Sequence, residues 1–182
     1  MTDSPDTRPL AGVRVLDLTR VLAGPHAARM LCDLSAEVIK VEPPEGDITR
    51  TTHPRVNSIS SYFAQQNVGK QCVSLDLDHE EGRELLRRLA DHCDVLLENF
   101  RPGVMDRLGL GWDALRARNP RLIYASGSGY GQTGPWVHRR AYAPVVGAES
   151  GFTMAQGDAR GGHYANDAHS HADVYTALEL GA

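Results

Sequence analysis

The 182-residue sequence has no apolar run approaching the roughly 20 residues that a membrane span needs, so no transmembrane segment is expected. It has no block of Lys and Arg, and a net charge of −4 argues against a nucleic-acid surface. The opening MTDSPDTRP is polar and acidic with no apolar h-region. That excludes a secretory signal peptide and predicts a short disordered lead-in over residues 1–8. Cysteine is scarce: Cys32, Cys72 and Cys93 are odd in number and widely spaced. They suit neither a disulfide framework nor a metal set, and each is expected as a buried, reduced thiol of a cytoplasmic protein. Internal repeats and low-complexity tracts are absent.

What is present is ordinary for a globular chain, with 41% hydrophobic and 23% charged residues, and it is long enough for one sizeable domain with a real core. Residues 9–47, PLAGVRVLDLTRVLAGPHAARMLCDLSAEVIKVEPPEGD, organise the rest. Val13, Val15, Leu16 and Leu18 read as a strand, and Ala23-Gly24-Pro25 as a turn into a helix, where Pro25 suits the first turn because its missing N–H has no partner there. Ala27, Ala28, Met30, Leu31 and Leu34 give that helix an apolar face, and Val38, Ile39 and Val41 form a second strand. Two buried strands joined by a helix form a parallel βαβ unit. Its ligand mouth, where free N–H groups and the positive helix end meet, falls at residues 21–26.

Further on, a short helix is expected from Ser58 and a third strand over residues 73–77. An amphipathic helix over 79–92 turns Leu85, Leu86 and Leu89 inward, with Asp78 as N-cap and Glu81 completing a capping box. Strand four covers 95–97. A loop and a short helix from Pro102 follow, then a helix over 112–118 and strand five over 122–125. The glycine-rich SGSGYGQTGPW reads as a loop, 144–154 as one packed helix, and 156–166 as loop. A last helix runs from His171 into Ala182 with no C-cap, which predicts a chain cut inside an element. Alternating strands and helices define an α/β fold, Rossmann-like, with a mainly parallel sheet flanked by helices.

Three chemistries compete. A nicotinamide-dinucleotide site is suggested by Glu42, eighteen positions after Gly24, but the turn has one glycine where that fingerprint has three, and Pro25 removes an N–H. His169-Ser170-His171-Ala172-Asp173 spells HxHxD, which can share a metal in a loop; here a helix starts at once, and a solvated histidine pair is the plainer reading. Asp173 itself reads either as a carboxylate favoured by the helix dipole or as a nucleophile.

The segments LDLTRVLAGP, AEVIKVEPPEGD, ENFRPG and HADVYTALELGA together resemble the family III coenzyme A transferases, whose superfamily includes the α-methylacyl-CoA racemases. The resemblance implies that CoA and acyl-CoA enter as substrates, with no permanently bound cofactor and no metal. It implies Asp173 as the catalytic nucleophile. Leu22 and Ala23 match positions near the CoA nucleotide, Leu75 an adenine-pocket residue, and Asn99, Phe100 and Arg101 a loop contacting CoA. Arg107 matches an arginine of that site, and Arg140 with Tyr142 a basic-x-aromatic pair beside the CoA chain.

There are departures. Ala143 replaces an acid, and Asp78 and Pro43 replace basic residues seen in some members. Tyr142 stands where racemases carry a His base, which favours a transferase over a racemase or isomerase. Family members run to roughly twice this length, beyond the ~250–300 residues of a single core. Residues 9–182 are therefore expected as the CoA-binding, N-terminal portion of an incomplete large domain in a two-domain fold. The resemblance also implies a homodimer, interlocked in full-length members, or a complementing C-terminal chain. A non-catalytic CoA-binding half is the further alternative.

Overall fold

The computed structural model describes residues 7–166 and 169–182. The lead-in expected over residues 1–8 lies, up to residue 6, outside the described residues. Five strands, β1 (Arg14–Asp17), β2 (Glu37–Glu42), β5 (Gln71–Ser74), β6 (Val95–Glu98) and β7 (Ile123–Ser126), form one sheet in the order β5-β2-β1-β6-β7. All four pairings are parallel. Leu16 stands opposite Ile39 on one side and Leu96 on the other, which sets the register of the three central strands. The α/β, Rossmann-like expectation therefore holds.

Alternation along the strands divides the core between two faces. Leu16, Val41 and Leu96 face α3 (Glu80–Ala90) and the segment carrying α4 (Val104–Arg107) and α5 (Trp112–Arg118), where Leu86, Met105 and Leu115 meet them. Val15, Val38 and Leu97 face the opposite way, onto Ala28 of α1 (Ala23–Asp33) and Leu180 of α8 (His171–Gly181). α8 packs along α1, with Gly181 beside Met30 and Ala27.

Several expectations are corrected. The capping box before α3 does not form: His79 is the N-cap without a side-chain bond, because Asp76 Oδ1 takes the Asp78 amide in a turn one step earlier. The inward face of α3 is Gly82, Leu86 and Ala90 at four-residue spacing, with Leu89 packed against the same core as expected, so Leu85 alone of the three leucines is left 45% exposed; Leu34 at the end of α1 is also exposed (44%). The third strand is residues 71–74, earlier than expected, and Cys72 on this edge strand is exposed, whereas Cys93 is buried and Cys32 half-buried. The single helix expected over 144–154 is two, α6 (Ala143–Glu149) and α7 (Phe152–Ala159), broken where Gly151 adopts φ +80°. α7 also takes residues 156–159 from the expected loop.

Between β2 and β5 lie a 3-10 turn (Ile48–Thr51), a hairpin of β3 (Arg55–Val56) and β4 (Ile59–Ser60), and α2 (Ser61–Asn67). Ser60 Oγ caps α2 by accepting from the Phe63 amide at 3.1 Å. The hairpin has no sequence signal of the usual turn type; its turn uses Asn57 and Ser58, both at positive φ. Among the described residues, no helix is long and apolar enough to cross a membrane.

Candidate active site

Chain order around the sheet reverses at β1. The chain leaves β1 to build β2 and β5 on one side, then returns to lay β6 and β7 on the other. In open α/β sheets the crevice beyond the carboxyl ends at such a reversal is where ligands bind. Here it is bounded by the loops after β1 and β6, and these are fastened together. Asn99 Nδ2 donates to the Arg20 carbonyl at 2.8 Å, and the Arg20 amide donates to Asn99 Oδ1 at 2.8 Å. The Arg20 guanidinium lies 5.1 Å over the Phe100 ring.

A cleft of about 320 Å³ opens there. One wall is residues 20–24, running into the first turn of α1, where Leu22 provides no side-chain cap for the leading amides. Pro25 sits in that first turn as expected. Val21 reaches the turn at φ 71°, a left-handed conformation rare for a β-branched residue and costing about 1–3 kcal/mol. Gly24 is required by proximity: a Cβ there would lie 2.2 Å from Thr19 Cβ.

The facing wall is one face of α8, with Asp173 and Thr176 in its first turns and Leu180 near its end. Burial alone pushes the Asp173 carboxyl above the ordinary aspartate range, with no cation or hydrogen bond of the described residues acting against it. Burial raises the Tyr62 phenol of α2 as well, and the Asp173 charge adds to that shift.

The roof is the glycine-rich loop, residues 127–142. Tyr130 Oη donates to Glu149 Oε2 at 2.6 Å and Arg139 pairs with Glu149 at 2.6 Å, its guanidinium over the Tyr130 and Trp136 rings. Arg140 and Tyr142 line the cleft beside this cluster. Ser128 lines it too, and its buried hydroxyl has no hydrogen-bond partner among the described residues.

Of the expected site residues, Asp173, Leu22 and Ala23 share this cleft with Asn99, Phe100 and Arg101, and with Arg140 and Tyr142. Leu75 and Arg107 do not line it. Leu75 packs against the core beneath the β2–β5 edge, and Arg107 stands on α4 with its guanidinium beside Gly103. Behind Arg101 and Pro102 lies a second cavity of about 410 Å³, lined by Met105, Trp112 and Tyr124 and floored by Glu98. Burial raises Glu98, partly offset by bonds from the Ser126 hydroxyl and the Phe100 amide.

His169 and His171 have ring centroids 5.7 Å apart, but His171 is already inside α8, stacked on Tyr175. Among the described residues no group of three His, Cys, Asp or Glu is placed to hold a metal.

Sequence reasoning missed the buried charges under the cleft: Asp17, Lys40, Asp47 and Lys70, with side chains at most 1% exposed. The signal was there in Lys40, one cation inside the otherwise apolar run VIKV, and nothing marked its partner.

A parallel sheet of Rossmann order, with a cleft at its reversal faced by one half-buried carboxyl at a helix start, is the α/β arrangement in which ligands bind beyond the carboxyl ends of the strands. Comparison with known proteins gives the family: the chain belongs to CoA-transferase family III, whose family model matches residues 10–181. It is 51% identical over 150 residues to an acetyl-CoA:oxalate CoA-transferase of Acetobacter aceti, covering 82% of this chain and 39% of the relative. It is 45% identical over 158 residues to a succinyl-CoA:glutarate CoA-transferase of Mus musculus, covering 86% of this chain and 36% of the relative.

Among solved structures, a CAIB/BAIF family protein from Brucella suis superposes with TM-score 0.88 at 39% identity, over 97% of this chain and 48% of that one. Rv3272 from M. tuberculosis, in an orthorhombic form, gives TM-score 0.88 at 42% identity, over 96% and 49%. The chain thus spans about two fifths of these curated relatives and about half of these solved chains.

Proposed function

We propose that this chain supplies the CoA-binding part of an enzyme that moves CoA from an acyl-CoA thioester to a carboxylic acid, with Asp173 as the acyl acceptor. One observation carries the reading: the half-buried Asp173 carboxyl, its basicity raised by burial, faces the uncapped start of α1 across a single cleft.

The chemistry follows from a carboxylate in that place. An Asp173 oxygen attacks the thioester carbonyl; the C–S bond breaks, giving a mixed anhydride and CoA thiolate. The thiolate attacks the aspartyl carbonyl, releasing the donor acid and leaving an aspartyl-CoA thioester. The acceptor carboxylate repeats the sequence in reverse, leaving with CoA and freeing Asp173. Each step exchanges one acyl bond for another, so a single nucleophile divides the transfer into easier parts. Each passes through an oxyanion, for which the Ala23 and Gly24 amides at the positive end of α1 are suited donors.

CoA itself would run along Asn99, Phe100 and Arg101, with Arg140 and Tyr142 beside its chain and Leu75 and Arg107 at the nucleotide end; Leu22 and Ala23, expected near the nucleotide, share the cleft with Asp173 and are read here at the thioester end instead. The named activities of the relatives, on oxalate and on glutarate, point to a small dicarboxylic acid as acceptor. The cytoplasm, where three thiols stay reduced, suits the free cysteines.

Length supports a companion reading. We read the working unit as a homodimer or as an assembly with a complementing chain, and the chain's span of about two fifths of its curated relatives supports the second. A relative of Chloroflexus aurantiacus, 38% identical over 180 residues, is itself called a beta subunit.

The test is to mix the protein, alone and with any complementing chain, with acetyl-, succinyl- and oxalyl-CoA, then digest and weigh the peptide holding Asp173. An acyl or CoA adduct on Asp173, absent in Asp173→Ala, is expected. Turnover retained by Asp173→Ala removes Asp173 from the mechanism. Deuterium wash-in at Cα without an acceptor acid would mark a racemase instead.

A further inference from the structure

The turn from β1 into α1 is tied down from beneath by two lysines that solvent does not reach. Lys70 Nζ donates to Asp17 Oδ2 at 2.8 Å, to the Pro25 carbonyl at 2.8 Å and to Asn67 Oδ1 at 3.0 Å, which uses all three of its hydrogens. Lys40 Nζ donates to the Thr19 carbonyl at 2.8 Å and stands 3.2 Å from Asp47 Oδ2. Asp17 Oδ1 meanwhile accepts from the Thr19 amide at 2.9 Å and the Thr19 hydroxyl at 2.5 Å.

Between these anchors run Arg20 to Gly24, the wall of the cleft, with Val21 held in the left-handed region. Such a conformation persists only where its surroundings over-determine it. Buried ion pairs are weak as sources of stability, and apolar side chains fill such space as well. These two do something an apolar pair cannot: their hydrogens fix main-chain carbonyls at residues 19 and 25, on either side of the strained wall.

We propose that Lys70, seconded by Lys40, is the positioning residue of the acyl-transfer site: it holds the first turn of α1 at the distance and angle from Asp173 at which the Ala23 and Gly24 amides meet the reacting oxygen. The proposal rests on the acyl-transfer reading of the cleft. Lys70 itself touches neither CoA nor the acyl group, since its side chain is wholly buried.

The test uses the intact protein carrying Lys70→Met together with Asp17→Asn, which leaves neither charge buried and alone. Hydrogen exchange across residues 18–26, CoA affinity by calorimetry, and the rate of adduct formation on Asp173 are measured well below the thermal midpoint. Expected are at least tenfold faster exchange in 18–26 with α3 unchanged, and adduct formation slowed at least tenfold and by more than CoA affinity is weakened. A role in stability alone would lower the midpoint and leave the adduct rate at the native value, and that result overturns the proposal. Should the native protein form no adduct, the acyl-transfer reading falls, and exchange alone then decides whether Lys70 holds the turn; native exchange rates in the variant refute it. If the double variant does not fold, Lys70→Arg, which keeps the charge but cannot place its hydrogens on the same three acceptors, is put through the same measurements.

Discussion

Asn99 and Arg20 grip one another across the reversal of the sheet, the Asn99 side chain giving one hydrogen bond to the Arg20 main chain and taking another from it, each at 2.8 Å. The pair makes the loops after β1 and β6 one rigid lip. Only a side-chain amide offers a donor and an acceptor side by side, so Asp and Leu, though close in size, cannot replace it.

Asn99→Ala should therefore lose both bonds, destabilising the protein by about 1–2 kcal/mol. Asn99→Asp should keep only the bond from the Arg20 amide. Urea unfolding gives the stability, and calorimetric titration with CoA should show the affinity falling in the order native, Asp, Ala.

Glu42 at the end of β2 accepts from Arg50 Nε and Nη2, both at 2.6 Å, and from the Asp47 amide at 2.9 Å. Burial works to raise its pKa, but these bonds and a Cys72 thiol outweigh it and hold the carboxyl at about 2, against an ordinary 4.5. The folded protein thus binds this proton more weakly than the unfolded chain. The stabilisation is whole above about pH 4.5, falls as pH drops, and is gone near pH 2. Its size is on the order of 3 kcal/mol. Unfolding measured at pH 6, 4 and 3 should show this acid slope, and Glu42→Gln should flatten it while lowering stability at pH 6.

Gly24 lies so close to Thr19 that Gly24→Ala must push α1 away from the strand it follows. Overpacking of this kind costs about 1–3 kcal/mol. At Gly12 the obstacle is of another kind: nothing lies within 4 Å of an added Cβ, and only the backbone, at φ +86°, resists a side chain. The comparison separates strain from crowding: Gly24→Ala should impair CoA binding, Gly12→Ala stability alone.

The sheet was legible in the sequence because its strands are short apolar runs separated by helices with a 3.6-residue period; Val15-Leu16 and Leu96-Leu97 each serve both faces, which is what a doubly covered parallel strand looks like. Asp173 and the ENFRPG loop were legible only through family resemblance, since an Asp in a first helical turn is by itself ordinary. What escaped depends on distant partners. Lys40 and Lys70 are surface residues by type, buried because Asp17, Asp47 and two carbonyls meet them from other segments. Val21 carries no mark of its positive φ, and the break between α6 and α7 hangs on one glycine, which sequence periodicity reads as merely weakening.

Ser128 closes the cleft with a buried hydroxyl that has no partner among the described residues. Leaving such a group unmet costs about 1–3 kcal/mol. Removing it by Ser128→Ala should therefore leave stability unchanged or raise it by up to about 1 kcal/mol, in contrast to most buried substitutions. If a bound thioester supplies the missing partner, the same variant should bind acyl-CoA more weakly. Unfolding and titration on one sample decide it, since equal affinity would mean that the hydroxyl stays unmet in the complex.

Asp173 presents the same trade at the other wall. Its pKa is raised by burial on folding, so the folded state is penalised once the carboxyl ionises, and that penalty grows as pH rises through the folded pKa. Asp173→Asn, which cannot ionise, should be at least as stable as the native protein at pH 7 and should lose that advantage in acid. It should at the same time form no covalent adduct, because an amide is a poor nucleophile, while CoA binding changes by no more than about 1 kcal/mol. In the native protein the adduct rate should fall on acidification with a midpoint above the ordinary aspartate value, since only the ionised carboxylate attacks. A flat rate through that range, with the fold intact, would assign the nucleophile elsewhere. A stability gain joined to loss of adduct is what separates a residue kept for chemistry from one kept for the fold.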